Sequence, residues 1–229
     1  MKKGTLIVIE GTDGVGKSTQ FARLCQRLEE MGCPFRRLVF PRYDQESSAL
    51  IRMYLSGAFG GKPGDVGPYA ASAFYAVDRY ASWKQDWQAH YEGGGLVLAD
   101  RYTTSNAVHQ TSKLEDTEQN AFLDWLEDFE YVKLGLPRPD RVLLLDVPTD
   151  RSEALLRRRE ADTHSQGDIH ETDSAYLAAC RQAAQKAADR WGWTRIPCLD
   201  EAGGLRSIEA IQEDVWQAVL PLLNERKEN

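Results

Sequence analysis

The stretch Gly11-Thr12-Asp13-Gly14-Val15-Gly16-Lys17-Ser18 decides the fold, because it matches the pattern G-x-x-x-x-G-K-[ST] at every fixed position. An apolar run, Thr5 to Ile9, precedes it, and apolar residues at helical spacing follow it from Phe21 onward. A glycine-rich turn between a strand and a helix lets backbone N–H groups surround a phosphate, and the helix N-terminus adds partial positive charge. We therefore expect Gly11 to Thr19 to bind a nucleoside triphosphate, with Lys17 on the terminal phosphates and the Ser18 hydroxyl on Mg²⁺.

Further strands and helices alternate along the chain. The other predicted strands are 35–40, 95–99, 141–147 and 194–199. Helical spacing of apolar residues marks helices after the phosphate loop, around Phe122, around Tyr176 and from Ile208. This alternation predicts an α/β fold: a five-stranded parallel sheet of the P-loop NTPase type with helices on both faces.

Composition limits the classes of function. The 229 residues carry 28 basic and 35 acidic side chains, a net charge of −7, so we expect no nucleic-acid partner. Apolar runs stay far below the ~18 residues of a membrane span, and the N-terminal run is too short for a signal peptide. Four scattered cysteines without metal-ligand spacing predict free thiols in a reducing compartment. We expect a cytoplasmic protein with one domain spanning residues 1–229.

Charged residues follow two of the predicted strands, where a doubly wound sheet places its ligands. Asp100-Arg101 follows the third strand and would lie near the phosphates and Mg²⁺. Arg42 follows the second strand and is a candidate clamp for an acceptor phosphate. Each of these assignments has a simple alternative, since charged turns and solvated arginines are common after strands.

Tyr75 and Arg79 lie one helical turn apart on one helix face. At this spacing an aromatic ring could stack on a base while the arginine contacts the polar edge of that base, although aromatic residues at helical spacing are more often part of the core.

The combination resembles thymidylate kinase, the P-loop family that phosphorylates dTMP with ATP. The resemblance rests on the phosphate loop, on Phe-Pro-Arg (40–42) and Tyr-Ala-Val-Asp-Arg-Tyr (75–80), and on Asp-Arg-Tyr-Thr-Thr-Ser-Asn-Ala (100–107) and Asp-Ile-His-Glu (168–171). These motifs keep the family's order from about residue 10 to residue 176. Each motif alone is weak evidence for this family, whereas the whole set in this order is specific evidence for it.

The resemblance implies a role for each matching position. It places Asp13 on the 3′-hydroxyl of the acceptor, and Arg42 and Arg101 on its phosphate. It places Tyr75, where the family usually has phenylalanine, against thymine, and Arg79 on the edge of the base. Pocket positions near the base or the deoxyribose correspond to Ser105, His109 and Gln110. A homodimer is also implied, through helix faces near Trp83/Trp87 and Phe122/Trp125, although core packing explains those rings equally well.

A lid over the transferred phosphoryl group is expected at about residues 157–172. Family members carry a catalytic arginine in the phosphate loop or in the lid, and the variable loop positions here hold no cation. The sequence therefore assigns this role to Arg157, Arg158 or Arg159 without deciding which one acts, and a solvated helix end is the alternative. Glycine and proline at 56–68, and polar residues at 160–172, predict two loops.

Three functions are compatible with these motifs. The first is direct in-line transfer of the γ-phosphoryl group of MgATP to dTMP, with Lys17, Asp100, Arg101 and the lid arginines as catalytic residues. The second is a kinase for another mononucleotide or for an unphosphorylated deoxynucleoside, which would not need Arg42. The third is a nucleotide-dependent switch without turnover. A regulatory GTPase is excluded because the chain has no Asn-Lys-x-Asp sequence.

Overall fold

The five predicted strands form a parallel sheet in the computed structural model, which describes residues 3–163 and 173–228, with backbone alone at 158–163 and 227–228. The strands are β1 Thr5–Glu10, β2 Phe35–Val39, β3 Leu96–Asp100, β4 Arg141–Asp146 and β5 Thr194–Pro197. Their order across the sheet is β2-β3-β1-β4-β5, and every neighbouring pair is parallel. The predicted fold class is confirmed.

Helices cover both faces of this sheet. They are α1 Lys17–Glu30, α2 Ala49–Leu55, α3 Pro68–Ser82, α4 Gln88–Glu92, α5 Thr104–His109, α6 Asp116–Glu127, α7 Thr149–Thr163, α8 Ser174–Trp191 and α9 Ile208–Glu228. π-helical turns at Trp83–Trp87 and Asp128–Lys133 extend α3 and α6. α1 and α9 pack on one face, whereas α5, α6 and α8 pack on the other.

The central strands are buried on both sides, which explains their continuous apolar sequence. Leu6 and Val8 of β1 point into one half of the core, and Ile7 and Ile9 point into the other. Alternation along one strand therefore supplies both layers with apolar side chains.

The strand order places a crevice above the carboxyl end of β1. β1 lies between β3 and β4. The connection after β1 leads to β2 on one side, whereas the connection after β3 leads to β4 on the other side, and ligands bind at such a switch point. The phosphate loop follows β1 and Asp100 ends β3, so both reach this crevice.

Two of the expectations change in the structure. α7 continues through Thr163, where a loop was expected from 160, because Glu160 and Ala161 are good helix formers; residues 164–172 lie outside the described part. Trp83, Trp87 and Phe122, expected near a subunit interface, are buried in the core against the sheet. Among the helices of the described residues, none is long and apolar enough to cross a membrane.

Candidate active site

The phosphate loop bends tightly between β1 and α1. Gly14 and Gly16 have φ values of 80° and 87°, a left-handed conformation that favours glycine. A Cβ on Gly14 would also meet the Ser152 carbonyl oxygen at 2.6 Å. The loop glycines are therefore required by backbone geometry as well as by phosphate approach.

Lys17 is a buried cation at the base of this loop. Its Nζ donates to the carbonyl oxygen of Thr12 at 2.5 Å and lies 3.7 Å from a carboxylate oxygen of Asp13. Burial and the nearby Arg101 lower the pKa of Lys17 to about 8, although neighbouring carboxylates oppose this shift. An anion placed against Lys17 would relieve both effects, as expected of a group that binds phosphate.

A cavity of about 570 Å³ opens above the loop. Its wall contains the predicted donor residues Asp13, Gly14, Val15, Gly16, Lys17, Ser18 and Thr19, together with Asp100 and Arg101. Residues of the loop and of the first turn of α1 line this space, an arrangement suited to a triphosphate.

Ser18 and Asp100 could hold Mg²⁺ in the same cavity. Asp100 is 5% exposed and lines this cavity, as does Ser18. Hydroxyl and carboxylate oxygens are the ligands that Mg²⁺ accepts alongside nucleotide phosphates. The donor set therefore fits this ion, although the described residues contain no cluster of three or more His, Cys, Asp or Glu side chains that could hold a metal unaided.

A second cavity, of about 170 Å³, lies beside the first. Seven of the eight residues predicted to bind the acceptor line it: Asp13, Tyr75, Arg79, Arg101, Ser105, His109 and Gln110. They come from the phosphate loop, from α3 and from the segment after β3, so the fold joins three separate parts of the chain.

Asp13 and Arg101 stand in the wall that the two cavities share. Arg101 donates a hydrogen bond from Nη2 to Asp13, and its Nη1 lies 3.2 Å from Nε2 of His109. Burial alone would lower the pKa of Arg101, but Asp13, Glu10 and Asp100 raise it above its ordinary value, so the guanidinium stays charged. Its φ of 66°, rare for a side-chain-bearing residue, marks a strained backbone at this wall.

His109 is held in one tautomer by its neighbours. Because a guanidinium only donates, Nε2 of His109 accepts from Arg101 and the proton resides on Nδ1. Nδ1 lies 3.6 Å from the sulfur of Cys180, which itself donates to Ser112. This arrangement orients His109 toward Arg101.

Ser105 and Gln110, the other two residues predicted near the base or the deoxyribose, differ in their hydrogen bonding. Ser105 donates to the buried carboxylate of Glu10 at 2.7 Å, so its proton is already engaged. Gln110 is fully buried, and neither its amide nitrogen nor its oxygen has a hydrogen-bond partner among the described residues. A buried amide of this kind is costly unless a ligand supplies its partners.

Arg42 is not brought to either cavity. Its guanidinium pairs with Asp78 at 3.2 Å and Asp86 at 2.5 Å, and its backbone N–H donates to Asp78. The neighbouring Phe40, Pro41 and Tyr43 line both cavities instead. The turn after β2 therefore sends successive side chains to opposite sides, which a linear pattern cannot reveal.

The lid arginines are only partly described. Arg157 is exposed on α7 and lies 3.5 Å from Glu153. The side chains of Arg158 and Arg159 lie outside the described part of the chain, as do residues 168–171. α7 itself starts directly after β4, which places its first turn beside the phosphate loop.

Sequence reasoning missed three residues of the acceptor cavity and its surroundings. Tyr43 lines both cavities and adjoins the Phe-Pro-Arg motif, so position was an available signal. Asn106 lines the acceptor cavity one residue after Ser105. Glu130 contacts Arg79 from behind the cavity, and nothing in the sequence distinguishes it from the neighbouring acidic residues Glu127 and Asp128.

Several known proteins are similar to this chain. The family model for thymidylate kinase matches residues 9–202. A thymidylate kinase of Mycobacterium tuberculosis is 32% identical over 82% of this chain and 87% of its own length. The human thymidylate kinase is 28% identical over 93% of this chain and 89% of its own length. A solved thymidylate kinase structure from Candida albicans superposes with a TM-score of 0.69 at 22% identity, covering 98% of this chain and 93% of that one.

Proposed function

Because the chain belongs to the thymidylate kinase family, we propose that it transfers the γ-phosphoryl group of ATP to dTMP, producing dTDP and ADP for dTTP synthesis. One observation carries the proposal most directly: the triphosphate cavity and the acceptor cavity share a wall that contains Asp13 and Arg101. Two nucleotides bound on either side of this wall would bring donor and acceptor phosphates together, which is the main requirement for in-line transfer.

On the donor side, the loop amides and Lys17 would bind the ATP phosphates. Ser18 and Asp100 would hold Mg²⁺, which supplies charge neutralisation on the phosphate oxygens when it is bound. Lys17 is buried in the wall of this cavity and would contact the same oxygens, and its burial strengthens its attraction for phosphate.

On the acceptor side, Arg101 would hold the phosphate of dTMP and Asp13 would contact the 3′-hydroxyl. Tyr75 would stack on the base, and the buried Arg79 would donate to its edge. Ser105, His109 and Gln110 complete the proposed pocket, and Gln110 would gain from the nucleotide the hydrogen bonds that it lacks.

Arginines in the second half of α7 would complete the charge stabilisation. Arg157, Arg158 and Arg159 follow the elements that flank the phosphate loop, and a cation beside the transferred group lowers the barrier to transfer. Exclusion of water by this segment would also limit ATP hydrolysis.

Assembly and location are further parts of the proposal. Exposed apolar side chains cover neighbouring faces of α2 and α3, and we infer that they form a homodimer interface: Leu50, Met53, Tyr69, Val77 and Tyr80. All four cysteines are unpaired, as in a reducing cytoplasm. We expect the chain to act as one kinase domain, without a nucleic-acid or membrane partner.

The test is ADP release from MgATP with dTMP, dUMP, dCMP, dGMP, dAMP and thymidine offered separately. We expect strong turnover with dTMP, weaker turnover with dUMP and negligible turnover with thymidine, because Arg101 needs the acceptor phosphate. Arg101→Ala should lower kcat by about 10²–10³, the usual loss for one charge-stabilising donor. Arg195→Ala, which removes an exposed arginine that pairs with Asp189, serves as the control and should leave kcat unchanged.

Two outcomes would contradict the proposal. Preference for thymidine over dTMP would assign the chain to the nucleoside kinases and remove the role of Arg101. Tight ATP binding without turnover of any acceptor would indicate a nucleotide-dependent switch. Size-exclusion chromatography with light scattering measures the oligomeric state of the chain. If α2 and α3 form the homodimer interface, Val77→Glu should convert the dimer to monomers.

A further inference from the structure

A carboxylate that belongs to no predicted motif lies behind the acceptor cavity. Glu130 sits in the π-helical turn Asp128–Lys133, where the helix widens by one residue, and its side chain is fully buried. π-helical turns occur frequently at functional sites. The Glu130 side chain points between α3 and α5, so it reaches residues that line the cavity from the far side.

Glu130 holds Arg79 through two parallel hydrogen bonds. Nε of Arg79 lies 2.7 Å from Oε2, and Nη2 lies 2.5 Å from Oε1. Nη1 donates a longer bond, 3.3 Å, to the Tyr102 carbonyl oxygen. The two-point contact fixes the plane of the guanidinium, whose remaining N–H groups are left to face the cavity that Arg79 lines.

Glu130 also determines which end of the Asn106 amide faces the cavity. Nδ2 of Asn106 donates to Oε1 of Glu130 at 2.8 Å and to the Ser72 carbonyl oxygen at 3.2 Å. Both partners are obligate acceptors, so the amide nitrogen must point toward them. Oδ1, which has no hydrogen bond to the described residues, is then the end directed to the cavity lined by Asn106.

The cavity therefore presents a donor, Arg79, beside an acceptor, Oδ1 of Asn106. Thymine has a 4-carbonyl oxygen beside N3–H, which matches this donor and acceptor in order. Cytosine has a 4-amino group beside an unprotonated N3, so both contacts would be donor against donor or acceptor against acceptor. Mismatches of this kind are what give hydrogen-bonding sites their strong discrimination.

We propose that Glu130 is a positioning residue that sets the base specificity of the acceptor site, by orienting both Arg79 and Asn106 for a base with a carbonyl next to an N–H. A buried ion pair is weak evidence for stability on its own, whereas a shared acceptor that orders two base-facing groups gives the pair a function. This inference rests on the proposed kinase function and adds a determinant that does not itself contact the base.

Glu130→Gln disrupts the orientation of Arg79 and Asn106 with almost no change in the size of the side chain. The new amide has one acceptor and one donor, whereas Arg79 and Asn106 together present three N–H groups to this side chain. If the amide oxygen takes the Oε1 position, its nitrogen faces Nε of Arg79. With the opposite orientation, its nitrogen faces Nη2 of Arg79 and Nδ2 of Asn106. In either case a donor meets a donor, and the arrangement at the base is lost.

The experiment compares dTMP with 5-methyl-dCMP, which differs only at position 4 and N3, as competing substrates in one reaction. The ratio of their kcat/KM values does not depend on how much of the enzyme is folded. We expect Glu130→Gln to lower this ratio by roughly 10- to 100-fold, the effect of one charge-assisted hydrogen bond. Where the wild-type rate with 5-methyl-dCMP is too low, its inhibition constant against dTMP replaces kcat/KM.

Two further variants separate positioning from general damage. Glu127→Gln makes the same chemical change three residues earlier, at a side chain that pairs with Arg138 outside the acceptor cavity, and should leave the ratio unchanged. Glu130→Asp keeps a negative charge beside Arg79 but is too short to serve both partners, so it should fold and still lower the ratio. It also decides the question if Glu130→Gln does not fold.

An unchanged ratio of the two kcat/KM values in Glu130→Gln or in Glu130→Asp would overturn the inference. This includes the case in which both substrates lose activity equally. Failure of the proposed function looks different, because wild-type enzyme would then not phosphorylate dTMP at all. A lowered ratio in both Glu130 variants, with a normal ratio in Glu127→Gln, would establish the role.

Discussion

Arg42→Ala should destabilise the folded chain much more than it weakens acceptor binding. In the structure, the Arg42 guanidinium neutralises Asp78, whose side chain is 1% exposed, and also contacts the half-exposed Asp86. Removing one member of a buried pair costs about 3–5 kcal/mol. Asp78 keeps the Ser47 hydroxyl at 2.6 Å and the backbone N–H of residue 42, so we expect a smaller loss, about 2–3 kcal/mol.

A loss of this size is easily measured. For a chain of this length, each kcal/mol lowers the Tm by about 2–4 °C, so thermal unfolding without nucleotide should shift by roughly 4–12 °C. Asp86→Ala is the matched control, because it removes only the more exposed partner and should cost less than about 1 kcal/mol. Steady-state kinetics with dTMP, at a temperature where both variants are folded, provide the second measurement.

The competing expectation, that Arg42 clamps the acceptor phosphate, predicts the opposite pattern. Loss of a charge-assisted contact of about 1.5–3 kcal/mol would raise the KM for dTMP by roughly 10- to 100-fold. A Tm shift below about 2 °C, combined with such a rise in KM, would refute the structural reasoning. A large Tm shift with a nearly unchanged KM would assign Arg42 to the scaffold.

Three more outcomes follow from the site. Because the pKa of Lys17 is about 8, the ammonium is lost above that value, and ADP affinity measured by calorimetry should fall about fivefold from pH 8 to pH 9, whereas Lys17→Arg should show no such fall. Gln110→Leu should raise the KM for dTMP about tenfold yet leave the free enzyme equally or more stable, since both amide atoms lack described partners; lower stability with normal KM would contradict this. His109→Phe removes the acceptor for Arg101 and should lower kcat/KM for dTMP about tenfold without changing ADP affinity; equal losses in both would indicate general damage.

Much of the fold could be read from local patterns. The phosphate loop needs glycines at defined positions, and continuous apolar strands imply a sheet covered on both faces, so β1 and α1 were predictable from the residues alone. The same holds for the position of Lys17 and Ser18 in the cavity wall, which depends on their distance along the chain from these glycines. Local backbone conformation depends on residues that are neighbours in the sequence, so one sequence is enough to predict it.

The tertiary structure decided what depends on contacts between distant segments. Arg42 looked equivalent to Arg101, since both follow strands, but Asp78 on α3 draws one away while Asp13 in the loop holds the other at the shared wall. Glu130 looked like any acidic residue of a solvated helix face, yet the π-helical turn directs it inward to Arg79, 51 residues earlier. Side-chain direction at a turn, and the burial of a charge, depend on which partner the fold brings near. The spacing of residues along the sequence does not identify that partner.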